Sequence, residues 1–188
     1  AGTAPEGQDE DHLRMSIWFR TYGFAEVLEN LLIGAYPLDD EDVSMLQWMG
    51  VQRVLNLVED REYRPGDRDD VVEALARTRI TEQRLNFTDF GNLPADELEA
   101  AVQEVCRWLG DGTRTYVHCR AGQQRSAVVA AGVVAVRQGI DIEEALAYVQ
   151  QRKPSADPLP HQREDLRRWW DDRGQAPPEP GDTEDLLR

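Results

Sequence analysis

From residue 26 to residue 173, segments that read as strands alternate with segments that read as helices, and this order leaves few architectures open. "VQRVLNLV" (51–58), "TEQRLNF" (81–87) and "TRTYVHC" (113–119) have strand length and strand composition. Between them, "DDEDVSMLQWMG" (39–50) predicts a helix capped by aspartate and ended by Gly50, and "DDVVEALARTR" (69–79) predicts a second. "PADELEAAVQEVCRWLG" (94–110) predicts a third, with proline in its first turn. Further helices are expected at about 124–138, 141–152 and 161–173, and "EVLENLLIGA" (26–35) suggests a hairpin or a pair of short strands. Strands joined through helices run parallel, so the expected class is α/β: a central, mostly parallel sheet flanked by helices on both faces. In such sheets ligands sit beyond the carboxyl ends of the strands.

A chain of 188 residues fits one domain with enough core to stand without disulfides or metal. Residues 1–13 and 174–188 are polar, acidic and rich in Gly and Pro, so they are expected to be flexible tails around a domain spanning 14–173. Inside that domain only "EDREYRPGDRDD" (59–70) reads as a long loop. The net charge of −15 argues against general affinity for nucleic acid or for an anionic membrane. The two ends contribute −4 and −3, which leaves −8 on residues 14–173. The longest apolar run, "AVVAAGVVAV" (127–136), is about half the roughly 18 residues of a membrane helix. Two cysteines, Cys106 and Cys119, are too few for a disulfide framework, and the expected compartment is a reducing cytosol. Arginine outnumbers lysine twenty to one, a bias that a GC-rich bacterial genome would also produce.

The chemistry concentrates in "VHCRAGQQRSA" (117–127), where the third core strand gives way to a helix beginning near Gln124. Successive N–H groups in a tight loop that opens a helix converge on one point, and the helix dipole adds positive potential there. The loop Arg120, Ala121, Gly122, Gln123, Gln124 and Arg125 is therefore a candidate phosphate cradle. Gly122 permits close approach of the backbone, and the planar fork of Arg125 can hold two phosphate oxygens where lysine could not. A thiol at a helix N-terminus beside a cation has its pKa lowered to about 3.5–7.5, so Cys119 is expected to be a thiolate and a phosphorus nucleophile. Read alone, Cys119 could equally be a small buried residue and Arg125 a surface residue at a helix start.

The segment resembles the His-Cys-x5-Arg-Ser/Thr loop of the cysteine-based protein tyrosine phosphatases, and the short chain is similar to the dual-specificity phosphatases. The match runs through His118, Cys119, Gly122, Arg125 and Ser126. The resemblance implies a phosphocysteine intermediate on Cys119, with Arg125 binding substrate and transition state. Ser126 would help the thiolate leave, and His118 would orient the loop and tune the thiol. It also implies a general acid some thirty residues earlier, because a positioned acid contributes about 10²–10⁴-fold by protonating the departing oxygen. "LNFTDFGNLP" (85–94) offers Asp89, thirty positions before Cys119, on a loop expected at the same sheet edge. Without the cysteine loop Asp89 would read as an ordinary turn residue. Asp60 and Asp67 are poorer candidates, in a loop assigned to recognition.

Softer similarity covers roughly residues 24–172, including "RKPSADPLPHQREDLRRWW" (152–170). There Trp169 and Trp170 are expected as core or groove-facing aromatics, and Arg163, Arg167 and Arg168 as a solvated helix face. The function implied is phosphomonoester hydrolysis without metal or cofactor, on phosphotyrosine and also phosphoserine or phosphothreonine in protein. Relatives of this kind also act on phosphoinositides, other phospholipids and RNA ends, which generally demand more positive charge than the neutral Gln123 and Gln124 provide. A phosphate-binding adaptor would usually lack the cysteine, arginine or acid. A redox pair of Cys119 with Cys106 fits poorly, because Cys106 falls on the apolar spacing of a helix.

Overall fold

The computed structural model describes residues 14–175; the expected tails at 1–13 and from 176 onward lie outside the described residues. Within the described residues the elements run α1 (Ile17–Tyr22), β1 (Phe24–Leu28), β2 (Leu31–Gly34), α2 (Asp40–Trp48), β3 (Arg53–Asn56), α3 (Asp69–Thr78) and β4 (Thr81–Arg84). They continue with α4 (Ala95–Gly110), β5 (Thr115–His118), α5 (Arg125–Gln138), α6 (Ile142–Arg152) and α7 (Pro160–Gln175). The strands form one sheet in the order β1-β2-β5-β3-β4. Only β1 is antiparallel to its neighbour, so the α/β class with a mostly parallel sheet holds.

The alternation of side chains along each strand divides the core between two faces. Leu31, Ile33, Leu55 and Val117 point to one face, against α4, α5, α6 and α7. Leu32, Val54 and Tyr116 point to the other, where Phe19 of α1, Val43 and Leu46 of α2 and Val71 and Leu75 of α3 cover them. The apolar run of α5 is buried from Arg125 to Ala135, because α4, α6 and α7 surround it. Gly132 lets α4 come close: a β-carbon there would stand 2.7 Å from Cγ2 of Val102.

Local signals account for the helix ends. Asp39 caps α2 by accepting from the Asp42 N–H, and Asp141 caps α6 by accepting from the Glu144 N–H. Two features differ from the sequence expectations, and a third was not specified by them. Helix α1 was not anticipated; it has only six residues and is held from outside, with Ser16 donating through N and Oγ to the buried Asp42 carboxylate, both at 2.7 Å. The last helix extends to Gln175 rather than ending at 173. The third feature bears on the site: β4 is not adjacent to β5, because β3 lies between them. The chain leaving β4 nonetheless stays beside β3, with Leu85 N–H donating to Asn56 O (3.0 Å) and Phe87 N–H to Leu57 O (3.1 Å). The carboxyl ends of β3, β4 and β5 therefore share one edge.

Candidate active site

At that edge the chain leaves β5, the central strand, and passes through Cys119–Gln124 into α5. The carbonyls of Arg120 and Gln123 turn away from the pocket to accept from Tyr36 N–H (3.0 Å) and Asp157 N–H (2.7 Å). In a trans peptide the carbonyl and the next N–H point opposite ways, so the N–H groups of Ala121 and Gln124 face inward. With the N-terminus of α5 they form a ring of inward-facing donors where the sequence places the candidate phosphate cradle. Gly122 is required for a reason the sequence did not reveal. Its φ is +71°, and a β-carbon there would stand 2.4 Å from the Gly34 carbonyl carbon, so the glycine serves close packing of the loop on the end of β2.

Cys119 is 3 % exposed and its Sγ lies 3.3 Å from Ser126 Oγ. His118 is buried behind it, with Nδ1 3.0 Å from the Cys119 carbonyl. A carbonyl can only accept, so Nδ1 carries the hydrogen and Nε2, buried without a partner among the described residues, holds the lone pair. Burial pushes the His118 pKa down to about 4, so the ring is neutral at pH 7. Its ring ties to the backbone of the loop at Cys119 and brings no imidazolium charge to the sulfur.

Arg125 is 1 % exposed and its fork is occupied from one side. Nη1 and Nη2 donate to Glu62 Oε2 (2.7 Å) and Oε1 (2.8 Å), and Nη1 also donates to the carbonyls of Leu57 (3.3 Å) and Phe87 (3.0 Å). Nε is buried without a partner among the described residues, and the pocket wall includes Arg125. The fork is thus held edge-on, with Nε left for an anion. Glu62 was missed by the sequence analysis. It sits in a short 3-10 turn, Asp60–Glu62, closed by a reciprocal capping box in which Glu62 Oε2 also accepts from Glu59 N–H at 2.7 Å. The pattern Glu-x-x-Glu was the available signal. Burial tends to raise the Glu62 pKa, but its bonds to Arg125 and to the Glu59 N–H together outweigh that and hold it below the ordinary value. Asp60 instead pairs with Arg84, and Asp67 accepts from Arg64 N–H at 2.8 Å; neither lines the Cys119 pocket.

Asp89 does line it, with Phe90, Cys119, Arg120, Ala121, Gln123, Gln124 and Arg125, around a cavity of about 90 Å³. Its Oδ1 is 3.2 Å from Nη2 of Arg125. Burial raises the Asp89 pKa; the charge of Arg125 opposes this and that of Glu62 reinforces it. Cys119, Arg125, Asp89, Ser126 and the loop 120–124 are therefore brought together as the sequence predicted. The remaining candidates lie elsewhere. Cys106 is a half-buried free thiol on α4, its pKa raised by burial, at the rim of the core. Trp169 is core and Trp170 packs against it. Arg163, Arg167 and Arg168 face acids on or beside α7: Asp157 (3.1 Å), Glu143 and Glu164, and Asp165 (3.7 Å). Among the described residues no cluster of His, Cys, Asp and Glu is placed to hold a metal ion, and no helix is long and apolar enough to cross a membrane.

The sequence pattern of the dual specificity phosphatase catalytic domain matches residues 33–172, more than half of the chain. The human "Phosphatidylglycerophosphatase and protein-tyrosine phosphatase 1" is 28% identical over 63% of the chain and 59% of its own length. The Arabidopsis thaliana "Protein-tyrosine-phosphatase IBR5" is 28% identical over 72% of the chain and 47% of its own. The chain thus spans about half the length of these relatives. Among solved structures, PTPMT1 in complex with PI(5)P superposes with a TM-score of 0.71 at 23% identity, covering 81% of this chain and 97% of that one. Tk-PTP in its active form gives 0.69 at 19% identity, covering 79% and 96%.

Proposed function

This chain belongs to the dual-specificity phosphatase catalytic-domain family, and from that premise we propose that it hydrolyses phosphomonoesters of protein through a phosphocysteine intermediate. Phosphotyrosine is its best substrate, with phosphoserine and phosphothreonine slower. The observation that carries this reading is the nearly buried Cys119 sulfur at a pocket walled by Arg125 and Asp89.

The Cys119 thiolate attacks phosphorus, the bond to the ester oxygen breaks, and Asp89 gives its proton to that oxygen. Asp89, now a carboxylate, takes a proton from water as the water attacks phosphorus. The S–P bond breaks, the thiolate leaves with a hydrogen bond from Ser126, and the acid is restored. Products are the free alcohol and inorganic phosphate. Binding helps load the acid: a phosphate dianion engages the Arg125 donors and sets negative charge beside Asp89, which favours the protonated carboxyl. Every role is filled by a side chain or backbone group of the domain, with no cofactor. The need for a reduced Cys119 suits a cytosolic location.

The choice of substrate rests on the pocket mouth. Phe90 is 64 % exposed beside the acid and offers a flat apolar surface to an aryl group. Arg120 is the exposed cation of the pocket lining, whereas Gln123 and Gln124 are neutral. A headgroup with several phosphates meets little compensating charge there. The second reading, a singly phosphorylated phospholipid, draws on the human relative's name and on the likeness to the PI(5)P complex. Phosphate release from a phosphotyrosine peptide, a phosphoserine peptide, phosphatidylglycerophosphate, polyphosphorylated inositol lipid and a 5′-phosphorylated RNA decides the matter. The expected order of kcat/KM puts the phosphotyrosine peptide first. A lipid or RNA in that place refutes the protein reading, and no turnover of p-nitrophenyl phosphate refutes catalysis altogether.

A further inference from the structure

The loop that carries Asp89 hangs between two buried anchors, Phe87 and Leu93, and is fastened between them to helix α7. His161 Nε2 lies 2.9 Å from the Phe90 carbonyl and 3.1 Å from the Gly91 carbonyl. One turn further along the same helix face, Asp165 Oδ2 accepts from Leu93 N–H at 2.8 Å. The helix is a firm support. Leu166 and Trp169 lie in the core, Gln162 Oε1 caps its start by accepting from Leu159 N–H (3.0 Å), and Arg163 donates to Pro158 O (2.8 Å). On the far side Asp89 N–H donates to Glu59 Oε2 at 3.3 Å, and Asp89 Oδ1 lies 3.2 Å from Nη2 of Arg125.

The clamp falls where the backbone is under constraint. Phe90 has φ +57°, a left-handed conformation that an L residue holds only when its surroundings impose it. A β-carbon on Gly91 would stand 2.4 Å from Cγ2 of Thr88, so the turn admits no side chain there. His161 grips the two carbonyls directly after Asp89. It is itself exposed, so it buries little and its bonds bear on the loop rather than on the stability of the domain.

We propose that His161, with Asp165, is a positioning residue that holds the acid loop so that Asp89 is set over the Cys119 pocket before substrate arrives. The proposal rests on the assignment of Asp89 as the general acid. Because carbonyls only accept, Nε2 carries the hydrogen that His161 shares between them.

The test compares kcat/KM on phenyl phosphate, whose leaving group needs a proton, with kcat/KM on 2,4-dinitrophenyl phosphate, whose leaving group does not; kcat/KM covers only the steps through loss of the alcohol and leaves out the later hydrolysis in which Asp89 acts as base. A misplacement of about 1 Å can lose about 10²-fold, so His161→Ala is expected to slow phenyl phosphate by roughly 10–100-fold and the activated ester by less than about threefold. His161→Gln, which can present an N–H in the same direction, restores most of the loss, and vanadate affinity stays at the wild-type value. Asp165→Ala gives the same selective loss, and His161→Ala adds nothing in an Asp89→Asn background. If Asp89→Asn is selective while His161→Ala slows both esters equally or neither, the clamp is refuted and the acid stands. If Asp89→Asn itself slows both esters equally, the acid assignment falls and the clamp falls with it.

Discussion

Replacing Glu62 with alanine removes both carboxylate oxygens from a guanidinium that is 1 % exposed, and leaves its charge facing two carbonyls and Asp89. The Glu62 side chain is itself 7 % exposed, so water does not screen the pair as it would on the surface. Breaking a buried ion pair by deleting one partner costs about 3–5 kcal/mol. The carbonyls of Leu57 and Phe87 remain as acceptors, which places Glu62→Ala at the lower end, about 3 kcal/mol. A domain with roughly 5–15 kcal/mol of stability would still fold, so urea unfolding at pH 7 can read the loss directly. Glu62 has a lowered pKa in the folded state, so its contribution is present above the unfolded value near 4.5 and is lost as pH falls through the folded value. The difference between wild type and Glu62→Ala is therefore expected to narrow as the pH falls below 4.5 and through the lower folded value. A double-mutant cycle with Arg125→Ala isolates the pair, because the second deletion removes the stranded charge. A loss under about 1 kcal/mol, or a cycle with no coupling, would mean that Arg125 is not held by Glu62.

Cys119→Ser is expected to abolish phosphate release while retaining vanadate binding, because the cradle and Arg125 are intact and only the nucleophile is weakened; retained turnover would remove Cys119 from the mechanism. Gly122→Ala should lower stability by at least about 2 kcal/mol, combining left-handed strain with a backbone clash on the end of β2. Its urea midpoint checks this, and an unchanged midpoint would mean that the loop does not pack on Gly34.

The sequence by itself determined whatever lies close along the chain. The loop from His118 to Ser126 is contiguous, so one strand end, one tight turn and one helix start place its sulfur, its amides and its guanidinium together before any long-range contact is known. The alternation of strands and helices likewise determined the parallel sheet, since parallel neighbours need crossovers. Asp89 was found thirty positions away through family resemblance, and the structure supplied the reason its loop arrives: β3 intervenes between β4 and β5, and the chain beyond β4 continues along β3. Only the tertiary structure chose Glu62. The segment 59–70 offers Glu59, Asp60, Glu62, Asp67, Asp69 and Asp70, chemically similar carboxylates along the chain, and only the 3-10 turn turns one of them toward a buried guanidinium. The same holds for His161, which reads as one polar residue in a polar helix until α7 is packed beside the acid loop. Local geometry follows from neighbours in sequence; the partner of a charge across two loops follows from which strand ends the sheet sets side by side.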